Sequence, residues 1–324
     1  VPSTWQSPAE EIASSDTKLS GLATTQNCRA AQKPDEQRSS SVKLAIAQYA
    51  VPTEKTEAIE YAIDWVRKAH SQGAQTILLP ELFAGPYFCQ TQREKYLLWA
   101  EPLDSHSYLA RFQALAQELS VCLPVSFFEL CGQARFNSLA FINQNGQIDQ
   151  VYRKTHIPDG PGYQEKYYFN PGDRELKPWK TQFGTFGAAI CWDQWYPENA
   201  RILALQGAGL VLYPTAIGSE PPEAGALDSR LMWQRAMQGH AVCNSIYVAA
   251  ANRVGKEDEQ NFYGFSFICD YRGDILAQAD QTEETLLLAD IDFEAARLFR
   301  GSMGFFRDRR PQLYGKLLTL DGGC

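Results

Sequence analysis

Histidine is scarce in this chain. Its four copies, His70, His106, His156 and His240, stand far apart. None has the HxxxH-type spacing that gathers zinc ligands on one helix face, so no catalytic metal is expected. Paired cysteines are missing as well. The eight cysteines, Cys28, Cys89, Cys122, Cys131, Cys191, Cys243, Cys269 and Cys324, are scattered without a CxxC pair. That is not the dense framework of a small secreted domain, and it predicts reduced thiols in a cytoplasmic setting. No apolar run reaches the roughly 20 residues that span a bilayer, so no membrane partner is expected. No basic–apolar–small pattern opens the sequence as a signal peptide would. An excess of basic charge is also absent: 30 Lys and Arg stand against 38 Asp and Glu, a net charge of −8. Such a field repels phosphate backbones and argues against nucleic acid, while it attracts a small cationic substrate.

What the chain does have is core-forming material. With 324 residues, 44% hydrophobic and 12% aromatic, it can build one large α/β domain or two small ones. Residues 1–41 are rich in Ser, Thr, Ala and Gln without sustained periodicity, which predicts a flexible N-terminal extension. Residues 42–324 show no further linker and read as one folded domain.

Within that domain the periods alternate. Val42, Leu44 and Ile46 share one face of a strand over residues 42–49. Residues 53–72 place Ala58, Ile59, Ala62, Ile63, Val66 and Ala69 on one helical face, and Gly73 stops the helix. A buried strand over 76–79 then runs into Pro80–Glu81. Further helices are expected over 108–119, 197–206, 231–244 and 292–298. Strands are expected over 123–128, 137–142, 147–152, 210–214, 247–251, 266–269, 275–279 and 285–291, with Asn145–Gly146 as a hairpin turn. Residues 187–191 read as a short strand ending at Cys191, followed by a turn at Pro197 and a helix from Glu198. Strands interleaved with helices predict α/β layers.

Four polar residues stand at strand ends or in the loops just after them: Glu81, Lys154, Cys191 and Glu220. Taken singly, each has a bland reading as a helix or turn cap, a solvated lysine, a buried structural thiol or a loop acid. Taken together at strand carboxyl ends, where sites of layered α/β proteins gather, they have a chemical meaning. A thiolate attacks a carbonyl or nitrile carbon, a carboxylate takes the thiol proton and later activates water, and an ammonium steadies the oxyanion. The same ammonium, with the start of a helix, predicts a lowered thiol pKa at Cys191. A Cys–His system using His156 or His240 is the competitor, but neither histidine has an orienting partner in its own segment.

Three ordered segments carry a resemblance. They are Leu79–Pro80–Glu81–Leu82–Phe83, Tyr152–Arg153–Lys154–Thr155–His156–Ile157–Pro158 and Ile190–Cys191–Trp192–Asp193. The chain resembles the carbon–nitrogen hydrolase (nitrilase) superfamily over about residues 42–318. The resemblance implies a four-layer α-β-β-α sandwich that assembles into homo-oligomers and needs no cofactor. It also implies Glu81 as general base, Lys154 as oxyanion stabiliser and Cys191 as nucleophile. Glu165 falls where a second glutamate orients the lysine and substrate, the Trp192 backbone N–H completes the oxyanion site, and Tyr87 and Glu220 line the substrate channel.

The segments around Gly85–Pro86–Tyr87–Phe88–Cys89–Gln90 and Asp193–Gln194–Trp195 are similar to the branch that acts on carbamoylated amines. That likeness implies hydrolysis of N-carbamoylputrescine to putrescine, ammonia and carbon dioxide. On the residues themselves, Asp193–Gln194–Trp195 offers a substrate carboxylate no cation before Arg201, whereas Glu220 suits an ammonium. Open alternatives are a related superfamily amidase, a nitrilase or a β-ureidopropionase. Outside enzymes the alternative is a catalytically silent binding protein.

Overall fold

The first strand, β1 (Ser41–Gln48), is buried on both faces. Val42, Leu44 and Ile46 enter one core, and Ala45 and Ala47 enter another, where Tyr49 just past the strand joins them. A strand flanked by two cores belongs in the middle of a layered stack, and the rest of the chain supplies the layers. The structure, a computed structural model, describes residues 41–220 and 227–323. The expected extension lies outside the described residues except for Ser41, which opens β1.

After β1 the order is α1 (Lys55–Ser71), β2 (Thr76–Leu78), α2 (Leu109–Leu119), β3 (Leu123–Cys131), β4 (Ala134–Ile142) and β5 (Ile148–Arg153). Then come β6 (Trp179–Lys180), β7 (Thr185–Ala188), α3 (Pro197–Leu205), β8 (Leu210–Pro214), α4 (Ser229–Asn244) and β9 (Tyr247–Ala251). The last elements are β10 (Val254–Glu257), β11 (Gln260–Tyr263), β12 (Phe267–Cys269), β13 (Ile275–Gln278), β14 (Thr285–Asp292) and α5 (Phe293–Met303).

Two sheets face each other. One runs β14-β1-β2 and continues into β3-β4-β5 through a parallel bridge between Thr76 and Cys122. The other runs β13-β12-β9-β8-β7-β6. Helices α1 and α2 pack their apolar stripes on the first sheet, burying Ile59, Ile63, Val66, Phe112 and Leu115. Helices α3 and α4 cover the second with Leu203, Trp233 and Met237. Each buried aliphatic side chain on these seams contributes roughly 1.5–3 kcal/mol relative to exposure. The result is the four-layer α-β-β-α sandwich.

The hairpin from β4 to β5 turns at Asn145–Gly146 as expected. Gly146 has φ 76°, and a Cβ there would come within 2.5 Å of the Gln113 carbonyl oxygen, so only glycine fits. Several elements differ from the sequence expectation, among them a short strand β6 that it lacks. The strand before Cys191 stops at Ala188: Ile190 N leaves the ladder for the Asp193 carboxylate, and Cys191 beyond it has φ 41°, a left-handed conformation no strand accommodates. The β10–β11 hairpin has no counterpart in the sequence pattern: its strands are short and of mixed polarity, and its turn uses Asp258 at φ 47° instead of an Asn-Gly pair. The final helix runs on to Met303, ended by Gly304 at φ 72°.

Strands β7, β8 and β9 are parallel, as are β1 and β2. Their carboxyl ends therefore deliver Glu81, Cys191, Thr215–Glu220 and Arg253 to one side of the stack, and Lys154 follows β5 there. Among the described residues no helix is long and apolar enough to cross a membrane.

Candidate active site

Lys154 directly follows β5 and its side chain is wholly buried, as are those of Glu81 and Glu165. Its ammonium donates to Glu81 Oε1 at 2.8 Å and to both oxygens of Glu165, at 2.9 and 2.7 Å. A buried lysine is tolerated only when its charge is paired and its protons are used, and here two carboxylates take them. Burial alone would pull the ammonium down, but Glu165 and Glu81 hold its pKa well above the usual lysine value. With one cation between two acids, the cluster carries a surplus negative charge. Burial, opposed by Lys154 and reinforced by Glu81, pushes the Glu165 carboxyl up to about 7.

The two oxygens of Glu81 are used unequally. Oε1 accepts from Lys154 and from Asn137 Nδ2 at 2.7 Å. Oε2 is buried and accepts no hydrogen bond from the described residues. A carboxylate anchored by one oxygen and open at the other is arranged to receive a proton.

Cys191 opens a 3-10 helix, Cys191–Trp195, and is buried. Its sulfur faces the Ala216 carbonyl at 3.9 Å, while the neighbouring Thr215 carbonyl accepts the Glu81 backbone N–H at 3.3 Å. The loop after β8 thus touches both the thiol and the base. The elbow at Cys191 is braced by Asp193, which accepts from Ile190 N at 3.0 Å, Tyr152 hydroxyl at 2.7 Å and His156 N at 2.9 Å. That one carboxylate ties the segment around Lys154 to the residue before the thiol.

The expected low thiol pKa is corrected. Burial, followed by the Glu81 charge, pushes the Cys191 thiol well above its ordinary value, and Lys154 only partly offsets this. The thiol therefore rests protonated and depends on a base to ionise it. The histidine competitor finds no support in the contacts. His156 Nδ1 lies 2.8 Å from Asp193 and its ring stacks on Tyr196 at 3.5 Å, while His240 Nε2 faces the Gln194 carbonyl at 2.8 Å. Among the described residues neither histidine is hydrogen-bonded to Cys191.

Of the other expected residues, Tyr87 is buried and donates its hydroxyl to Glu165 Oε1 at 2.7 Å. It belongs to the charged cluster. Trp192 is 38% exposed, with its indole 6.3 Å from that of Trp195. Glu220 stands apart from the cluster. It is half-buried at the wall of an open cavity of about 630 Å³, with Asp258, Glu259, Gln260 and Arg93. Tyr163 and Tyr263 lie within electrostatic reach of both Cys191 and Glu220. Sequence reasoning misses Asn137, a polar side chain inside an apolar strand. Nor does the sequence pattern give any sign that the guanidinium of Arg253, just past β9, turns inward.

The chain has relatives among known proteins. The family model for carbon-nitrogen hydrolase matches residues 43–300. The chain is 50% identical over 295 residues to the N-carbamoylputrescine amidase of Arabidopsis thaliana, covering 89% of this chain and 98% of that protein. It is 44% identical over 282 residues to a citrullinase of Francisella tularensis subsp. tularensis, covering 86% and 98%. Among solved structures, a carbon-nitrogen hydrolase from Helicobacter pylori G27 superposes with a TM-score of 0.82 at 36% identity, covering 86% of this chain and 99% of that one.

Proposed function

Because this chain belongs to the carbon–nitrogen hydrolase family, we propose that it hydrolyses N-carbamoylputrescine through Cys191, Glu81 and Lys154. The observation that carries the chemistry is the buried Lys154 ammonium, held by Glu81 and Glu165 within electrostatic reach of the Cys191 sulfur. Glu81 takes the thiol proton on its free Oε2, and the thiolate attacks the ureido carbon. The oxyanion rests on Lys154 and the Trp192 backbone N–H. One nitrogen leaves with the proton that Glu81 accepted. Water, deprotonated by Glu81, then cleaves the S-acyl intermediate, and the carbamic acid released decomposes. The sum is one water consumed and putrescine, ammonia and carbon dioxide formed.

Substrate choice rests on the cavity wall. Three acids, Glu220, Asp258 and Glu259, suit the ammonium tail of a carbamoylated diamine. Arg93 on the same wall favours a second reading, a ureido amino acid that adds a carboxylate beside its amine. Ammonia release from N-carbamoylputrescine, L-citrulline and N-carbamoyl-β-alanine in parallel separates the two. Preference for the first supports the diamine reading, and preference for citrulline moves it to the second. Glu220→Gln should raise KM for N-carbamoylputrescine about 10-fold, some 1.4 kcal/mol, with kcat nearly unchanged. An unchanged KM would remove Glu220 from recognition.

The cluster also predicts a pH limb. Below about 7 Glu165 carries a proton, and one of its oxygens no longer accepts from Lys154 and Tyr87 together. The ammonium loses an anchor, so kcat/KM should fall as pH drops through this value. Tyr87→Phe removes a donor that favours the ionised carboxylate, so the limb should move to higher pH. A limb that stays in place or moves down refutes the link.

A further inference from the structure

Arg253 is a cation that the chemistry above does not use, yet its side chain is wholly buried. It lies between β9 and β10. One guanidinium nitrogen, Nη2, donates to the carbonyls of Glu81 at 2.7 Å and Leu82 at 3.0 Å. The other, Nη1, donates to Glu257 Oε1 at 2.7 Å. Glu257 in turn accepts the Tyr87 backbone N–H at 2.6 Å on its second oxygen. The loop that carries Glu81 and Tyr87 is thereby held at both ends by one ion pair.

The loop needs such a brace. It leaves the sheet after Leu78, so its carbonyls have no strand partner, and Leu82 sits at φ 49°, which a branched side chain adopts only under external constraint. A planar fork with five donors serves two carbonyls and a carboxylate at once. A lysine carries its three donors on a single nitrogen and lacks the two separated arms of the fork.

We propose that Arg253 and Glu257 are positioning residues of the hydrolysis: together they hold the Glu81–Leu82 turn so that the Glu81 carboxylate meets the Cys191 thiol. The inference rests on Glu81 acting as the base. The chain of contacts closes on itself, since the Tyr87 hydroxyl holds Glu165, Glu165 holds Lys154, and Lys154 holds Glu81 Oε1. Glu81 is fixed from its backbone by Arg253 and from its side chain by Lys154. Loosening either end displaces the oxygen that must take the proton, and a misplacement of about 1 Å costs on the order of 100-fold in rate.

Arg253→Lys and Glu257→Gln test this on the full chain. Both should lower kcat per competent site about 10- to 100-fold with KM within about 3-fold, since the cavity wall is untouched. Both should also slow alkylation of Cys191 by iodoacetamide at fixed pH by a comparable factor, because the thiol loses its proton acceptor. Competent sites are counted by covalent labelling to completion, so partial unfolding does not register as a lower kcat. The double variant should lose little more than either single one, as members of one chain do. Glu257→Gln keeps the residue's shape and one acceptor, and it carries the test if Arg253→Lys fails to fold. Should both variants melt earlier yet keep kcat per site and alkylation rate within twofold, the pair is structural only and the proposal falls. Should neither variant fold, that outcome also counts against a positioning role, because the ion pair would then be a folding requirement. If the wild type hydrolyses no carbamoyl substrate, the substrate reading fails, and the alkylation rates still decide the role of Arg253.

Discussion

Cys191→Ala should lower ammonia release from N-carbamoylputrescine about 10⁴-fold or more while the protein stays folded. The substitution removes one buried sulfur at a left-handed position that alanine tolerates no worse than cysteine does. Cys191→Ser should fail almost as completely. A hydroxyl is a far weaker acid than a thiol, and the same burial that raises the thiol pKa opposes an alkoxide more strongly. Steady-state assay with circular dichroism and a thermal melt checks both variants. Retention of more than about a tenth of wild-type kcat by Cys191→Ser would overturn the nucleophile assignment.

Lys154→Met should cost both stability and activity. It leaves Glu81 and Glu165 buried without their cation, and removing one partner of a buried charge cluster typically costs about 3–5 kcal/mol. Loss of the oxyanion donor should lower kcat a further ~10²- to 10³-fold in the folded fraction. The sign of the pH effect follows from the charges. Burial already pushes the Glu165 carboxyl up to about 7 against the pull of Lys154, so without that cation it binds its proton still more tightly in the folded state than when unfolded. The variant's deficit is therefore smallest at low pH, where Glu165 is protonated in either state, and widens as pH rises through its unfolded range toward 8. Urea denaturation of wild type and variant at pH 5 and pH 8 measures this. A gap independent of pH would mean that the two acids are not facing each other unshielded. Adding Glu165→Gln to Lys154→Met should recover stability without recovering turnover.

Much of the frame is legible in the order of residues. Apolar periodicity locates α1, α2, the hairpin at Asn145–Gly146 and the buried strands β8 and β9 within a few residues. Those elements announce themselves because a half-buried helix or a tight turn imposes its own local pattern. The β10–β11 hairpin stays hidden, since two four-residue strands of mixed polarity are too short to show a period. The pattern overextends the strand before Cys191 for a related reason: Ala189 and Ile190 are apolar, but Ile190 N turns from the sheet to the Asp193 carboxylate. Apolarity signals burial and does not say which partner takes the backbone N–H.

The candidate site divides the same way. The sequence alone determined that Glu81, Lys154 and Cys191 follow apolar strands, and that no arginine flanks the thiol before Arg201. These are properties of order and composition. What only the tertiary structure decided is the electrostatic state of the assembled groups. Glu81 and Lys154 are 73 residues apart and yet share a fully buried hydrogen bond. That shared burial makes the thiol a poor acid, brings Glu165 near neutrality and leaves one oxygen of Glu81 open. It also turns Arg253 inward against the backbone of the base. Coulomb energies in a protein scale with distance and local dielectric, and both are set by long-range packing that no local stretch of sequence encodes.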